Sequence, residues 1–143
     1  MIEFALADHL IACPAVTALV GDRVYAESAP QGETRPFITY RLLTGAERHY
    51  HSLGASGLVE AEIEITCRAN TIEVARDVYE TVRNEVDGFR GEWDGTQVNR
   101  AALTPAASAT AAPAHGDEPG GPAITARLTV HYYESVPVPT FVP

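Results

Sequence analysis

The sequence predicts an α+β domain: a mixed, mainly antiparallel β-sheet with an N-terminal helix and a second amphipathic helix packed on it. Three patterns lead to that class. Val59, Ala61, Ile63, Ile65 and Cys67 alternate with Glu60, Glu62, Glu64, Thr66 and Arg68, the two-residue period of a strand with one buried face. Ile124, Ala126, Leu128, Val130 and Tyr132 alternate in the same way with Thr125, Arg127, Thr129, His131 and Tyr133. Between these segments Val74, Val78, Val82 and Val86, with Ala75 and Tyr79 beside them, recur at the spacing of a helix that covers a sheet.

The remaining elements follow in order. Ile2, Leu6, Leu10 and Ile11 form one stripe of an N-terminal helix, with Glu3, Asp8 and His9 elsewhere, and Pro14 interrupts it. A short helix from Ala15 to Val20 stops at Gly21-Asp22, where glycine supplies a positive φ. Arg23-Val24-Tyr25 reads as a short strand, and Ala29-Pro30-Gln31-Gly32 as a turn or irregular stretch. From Phe37 to Leu43 both faces carry apolar groups, so this is a central strand. Glu47 to Gly57 is polar and glycine-containing, the composition of a hairpin tip.

Asn70-Thr71-Ile72-Glu73 reads as a capping box that opens the second long helix, and Gly88 closes it. Trp93-Asp94-Gly95 is a turn into a weakly apolar strand, Thr96 to Leu103, which is expected at an edge and to pair with the last strand. Thr104 to Pro122 is Ala, Ser, Thr, Gly and Pro with two acids, too poor in large apolar groups to offset its ordering entropy, and is expected as a mobile loop. Val136 to Pro139 cannot continue a ladder. The expected organisation is one domain over residues 1–135 with a flexible loop at 104–122, then an extended tail over 136–143.

Composition limits the function. The 143 residues carry a net charge of -9 with ten Arg and no Lys, which argues against a groove that grips nucleic acid. No apolar run approaches the roughly 20 residues of a membrane span, and Met1 leads into an amphipathic segment rather than a signal sequence, so a soluble, intracellular protein is expected. Cys13 and Cys67 fit small apolar core positions better than a disulfide.

The candidates for chemistry are few. His49 and His51 lie two apart on a strand and, with Glu47, could hold zinc in a small metal-dependent enzyme; Arg48 beside them disfavours a cation. The preferred reading is an exposed hairpin with ordinary histidines, with neither metal nor cofactor. Glu60, Glu62 and Glu64 could perform acid–base work if one were buried, yet all three lie opposite the apolar face, as a solvated or partner-facing stripe. No nucleophile elbow is present, His115-Gly116-Asp117 falls in the expected loop, and a phosphate-binding Walker lysine is impossible without lysine. The sequence therefore reads as a non-enzyme, and a monomeric ligand- or protein-binding module remains a competing class.

Ala18-Leu19-Val20-Gly21-Asp22-Arg23-Val24-Tyr25, then Ala29-Pro30-Gln31-Gly32 and Arg35-Pro36-Phe37-Ile38, resemble the opening of the bacteriophage tail-completion, or tail-terminator, family. Glu62 to Ile65, the Ala75 to Val86 helix and a last strand after a variable loop are similar to it too, so the resemblance covers most of the chain. It implies a structural virion protein that forms a ring, commonly a hexamer, at the head-proximal end of a long tail. There it would end tail-tube growth and join the head connector, in a virus or a gene transfer agent. The implied partners are further copies of the chain, a tail-tube protein and a head-completion or connector protein, with DNA only passing through the lumen and no membrane. The implied location is the head–tail interface of the virion, after assembly in the bacterial host cytoplasm. In such a ring Glu60, Glu62 and Glu64 would face the lumen or a neighbour's Arg41, Arg48 or Arg68. The hairpin with His49 and His51, the 104–122 loop and the tail with Phe141 are expected contact elements.

Overall fold

The computed structural model describes residues 2–30, 32–51, 54–111 and 121–133, and among these it describes no side chain at 44–56 or 106–121. Among the described residues nine elements follow one another: α1 (Ile2–Ala12), α2 (Pro14–Val20), β1 (Val24–Ala26), β2 (Phe37–His51), β3 (Gly54–Arg68), α3 (Ile72–Val86), β4 (Gly91–Trp93), β5 (Thr96–Ala111) and β6 (Gly121–Tyr133). The strands form one sheet in the order β1-β2-β3-β6-β5-β4. Only β1 and β2 run parallel; the other pairs are antiparallel. This is the mixed, mainly antiparallel α+β fold that the alternation patterns predict, with β3 and β6 at its centre.

Pro14 sets the bend between the first two helices. It cannot donate a backbone hydrogen bond, so it opens α2 as an N-terminal residue, and α1 and α2 meet at 85°. Gly21, at φ 61°, ends α2 with its N–H on the Thr17 carbonyl. The stripe of α1 is rotated from the expected one. Ile2, Leu6 and Leu10 are buried with Ala5 and Ala7, whereas Ile11 is exposed. Glu3 lies on the buried side, with Oε2 lacking a hydrogen-bond partner among the described residues.

The cap of α3 falls one residue later than expected. Thr71, not Asn70, is the N-cap, and its hydroxyl accepts from the Val74 N–H at 3.3 Å. Val74 then faces solvent, and Ala75, Val78, Tyr79, Val82 and Val86 cover the sheet. Gly88, at φ 75°, follows the helix and donates to the Ala101 carbonyl, which ties the helix exit to β5. The stripe packs onto Val59, Ala61, Ile63, Ile65 and Cys67 of β3 and onto Ala126, Leu128 and Val130 of β6 in one core.

Four strands depart from the sequence reading. β4 was hidden because its three residues carry one large apolar side chain, the buried Trp93; Asp94 and Gly95, both at positive φ, close its two-residue hairpin to β5. The stretch expected as a loop from Thr104 is strand as far as Ala111, paired with β6 from Gly121 to Arg127, and only residues 112–120 lie outside the described residues. A backbone ladder needs no large side chains once a strong neighbour such as β6 is in place. The expected hairpin tip from Glu47 to Gly57 is likewise strand as far as His51 and again from Gly54. The expected tail over 136–143 lies outside the described residues.

Candidate functional site

All three helices pack on one side of the sheet, so alternate residues of β2, β3 and β6 face away from them. On β3 these are Glu60, Glu62, Glu64, Thr66 and Arg68, none of them fully buried. Carboxylates two residues apart on one strand repel, and the flanking strands supply the compensation. Arg41 of β2 stands directly opposite Glu64, at 3.2 Å from Nη2 to Oε1. Arg127 of β6 reaches Glu62 at 3.8 Å, and His131 Nε2 lies 3.5 Å from Glu60. Thr66 and Thr125 hydroxyls meet at 3.4 Å across β3 and β6. The stripe legible as acidic is thus one column of a charge-alternating face.

The candidate residues divide as follows. Arg41, Glu60, Glu62, Glu64 and the half-buried Arg68 share this face, and Arg41, Glu64 and Arg68 also line a polar cleft of about 260 Å³ under the Glu27–Ala29 segment. That is below the ~300 Å³ at which small-molecule sites begin. Arg48, His49 and His51 belong to β2 by their backbones, but their side chains lie outside the described residues, as does all of Phe141. Arg127 and His131 were not singled out from the sequence, because cross-strand partners become visible only once the β3–β6 register is known.

The thiols are poor nucleophiles. Both cysteines are free; burial pushes Cys67 up to about 12, and burial followed by the Glu85 carboxylate pushes Cys13 up to about 11. Cys13 stands at the α1–α2 corner with its Sγ donating to Glu85 Oε2 at 3.4 Å, and His9 Nε2 lies 3.7 Å from the same sulfur. The His9 ring stacks on Trp93 at 5.5 Å and packs against Phe89 at 4.9 Å. His9 and Cys13 are four apart, a spacing legible as one helix face; Glu85, on α3, is brought in only by the fold.

Charge is unevenly placed. The helical side carries Glu3 and Asp8 on α1 and four carboxylates against Arg76 and Arg83 on α3, whereas the opposite face interleaves Glu60, Glu62 and Glu64 with Arg41, Arg68 and Arg127. With six carboxylates against two Arg, the helices contribute -4 to the net charge of -9, and the three Glu and three Arg of the sheet face cancel.

A mixed six-stranded sheet, apolar toward three helices and ion-paired on its other face, defines a protein of the α+β class. Comparison with known families gives the particular one: the family described as Tail completion protein gp17 matches residues 4–109, and the chain belongs to it. It is a structural protein of a phage-type tail, located in the virion. A chain of the solved structure "Virion of native gene transfer agent (GTA) particle" has the same fold, with a TM-score of 0.65 and 16% identity over 93% of this chain and 95% of that one. No curated protein sequence matches the chain.

Proposed function

We propose that copies of this chain close into a ring, a hexamer in the simplest form, at the head-proximal end of a tail. The ring ends tube growth and joins the tail to the head connector without catalysing a reaction. The observation that carries this reading is the ion-paired sheet face, which no helix among the described residues covers, on a member of the tail completion family. A face on which Arg41 and Arg127 already pair with Glu64 and Glu62 neither attracts phosphates strongly nor expels them, which suits the wall of a channel that DNA traverses. Burying the same ion pairs between subunits would cost desolvation, so the face is assigned to the lumen rather than to a neighbour's arginines.

Ring contacts are assigned to the sheet edges and hairpin ends. β1 pairs only with Ile38–Tyr40 and β4 only with Thr96–Val98, so the outer edges of β2 and β5 run on without strand partners among the described residues. Such edges pair readily with another chain. The register also puts the two long hairpins at opposite ends: β2–β3 runs on past Leu58, which pairs with Tyr133, and β5–β6 runs on past Arg68, which pairs with Ala123. Fifteen residues of strand span about 50 Å, whereas the fifteen of α3 span about 22 Å, so the hairpins outreach the helical layer. One end would meet the tail tube and the other the head connector.

Size exclusion coupled to light scattering, followed by imaging of the purified chain, tests the ring. Annular particles several times the 15.3 kDa of one chain are expected. A monomer at every concentration, alone and with tail-tube protein, would contradict it.

A further inference from the structure

We propose that His9, Cys13 and Glu85 form a binding site for one divalent transition-metal ion of the zinc type, linking the α1–α2 corner to α3. The three donor atoms lie within 4.8 Å of one another, with Cys13 Sγ 3.4 Å from Glu85 Oε2 and 3.7 Å from His9 Nε2. In a tetrahedral zinc site, bonds of about 2.3 Å to sulfur and about 2.0 Å to nitrogen or oxygen separate neighbouring donors by about 3.5 Å. Two of the three separations already match, and the third, between His9 and Glu85, is within 4.8 Å.

The donor set selects the ion. A thiolate, an imidazole and a carboxylate favour zinc and its neighbours over magnesium or calcium, which prefer all-oxygen cages. Cys13 is buried while His9 and Glu85 are half-buried, so an ion has a route in and a solvent-side fourth position for water. Packing of the His9 ring against Trp93 and Phe89 restricts its rotation and presents Nε2 to the sulfur. On binding, the Cys13 proton leaves to solvent and the sulfur–metal bond replaces its hydrogen bond to Glu85. This site is separate from the sheet face and owes nothing to His49 or His51.

Cobalt(II) titration of the untagged 143-residue chain tests it. One ion per chain is expected, with a sulfur-to-cobalt charge-transfer band, quenching of the only tryptophan, Trp93, and displacement by zinc with Kd of about 1 μM or tighter. Cys13→Ser is expected to abolish the band, and Glu85→Gln, which retains shape on the α3 surface, to weaken binding at least about 100-fold with an unchanged far-ultraviolet spectrum. His49→Ala with His51→Ala is expected to change nothing. Absence of the charge-transfer band, or metal binding undiminished by Glu85→Gln, would overturn the site.

Discussion

On β3, Val59, Ala61, Ile63, Ile65 and Cys67 are at most 2% exposed beneath α3, whereas the side chains of Glu60, Glu62 and Glu64 keep 31–36% of their surface in water. Both rows sit on one backbone and one ladder, so the difference lies in what covers them. The covered row is held by exclusion of water, worth about 25 cal/mol per Å² of apolar surface. The uncovered row is held by cross-strand ion pairs of the kind that contribute at most about 1 kcal/mol each. The fold therefore depends on one face of the sheet and leaves the other free to be shaped by assembly.

Substitutions on the two rows should differ accordingly. Ile63→Asp puts an unpaired charge into the core and is expected to cost more than about 4 kcal/mol, seen as loss of a cooperative thermal transition. On the helix facing that row, Val82→Ala leaves a cavity, and a drop of about 2 kcal/mol should appear in urea unfolding. Cys67 supplies a pH test. Burial raises its folded value from 9 to about 12, so the unfolded chain releases the proton first and stability declines as pH rises through that interval. The raised Cys13, Tyr40 and Tyr79 act in the same direction, and Cys67→Ala should make the decline in the urea midpoint shallower. The smallest effect belongs to the open face: Glu62→Gln removes the Arg127 pair and should change stability by no more than about 0.5 kcal/mol, a change that vanishes in high salt.

The same contrast explains what was legible in the sequence. Wherever water is excluded on one side only, the side-chain period records it: β3 and β6 are readable residue by residue, and α3 is readable apart from its first turn. Where order comes from the backbone ladder, as in Thr104–Ala111 of β5, composition gives no sign of it. Helix stripes carry less angular information than strands: Val74 and Ile11 lie one position from the buried arc, and Thr71 rather than Asn70 caps α3 because the chain turns one residue later. The site was half readable. Glu60, Glu62 and Glu64 are visible as a row, but their pairing with His131, Arg127 and Arg41 depends on register, and the meeting of His9 and Cys13 with Glu85 depends on the packing of α3.

In the proposed ring this ion-paired face turns inward and the helices outward. Electron cryomicroscopy of rings formed by the purified chain tests it most directly. The predicted result is an annulus whose lumen is lined by Glu60, Glu62 and Glu64, with β2 and β5 edges meeting between neighbours. A ring with that face packed against a neighbour or turned to the outside, and the acidic helices lining the channel, would contradict it.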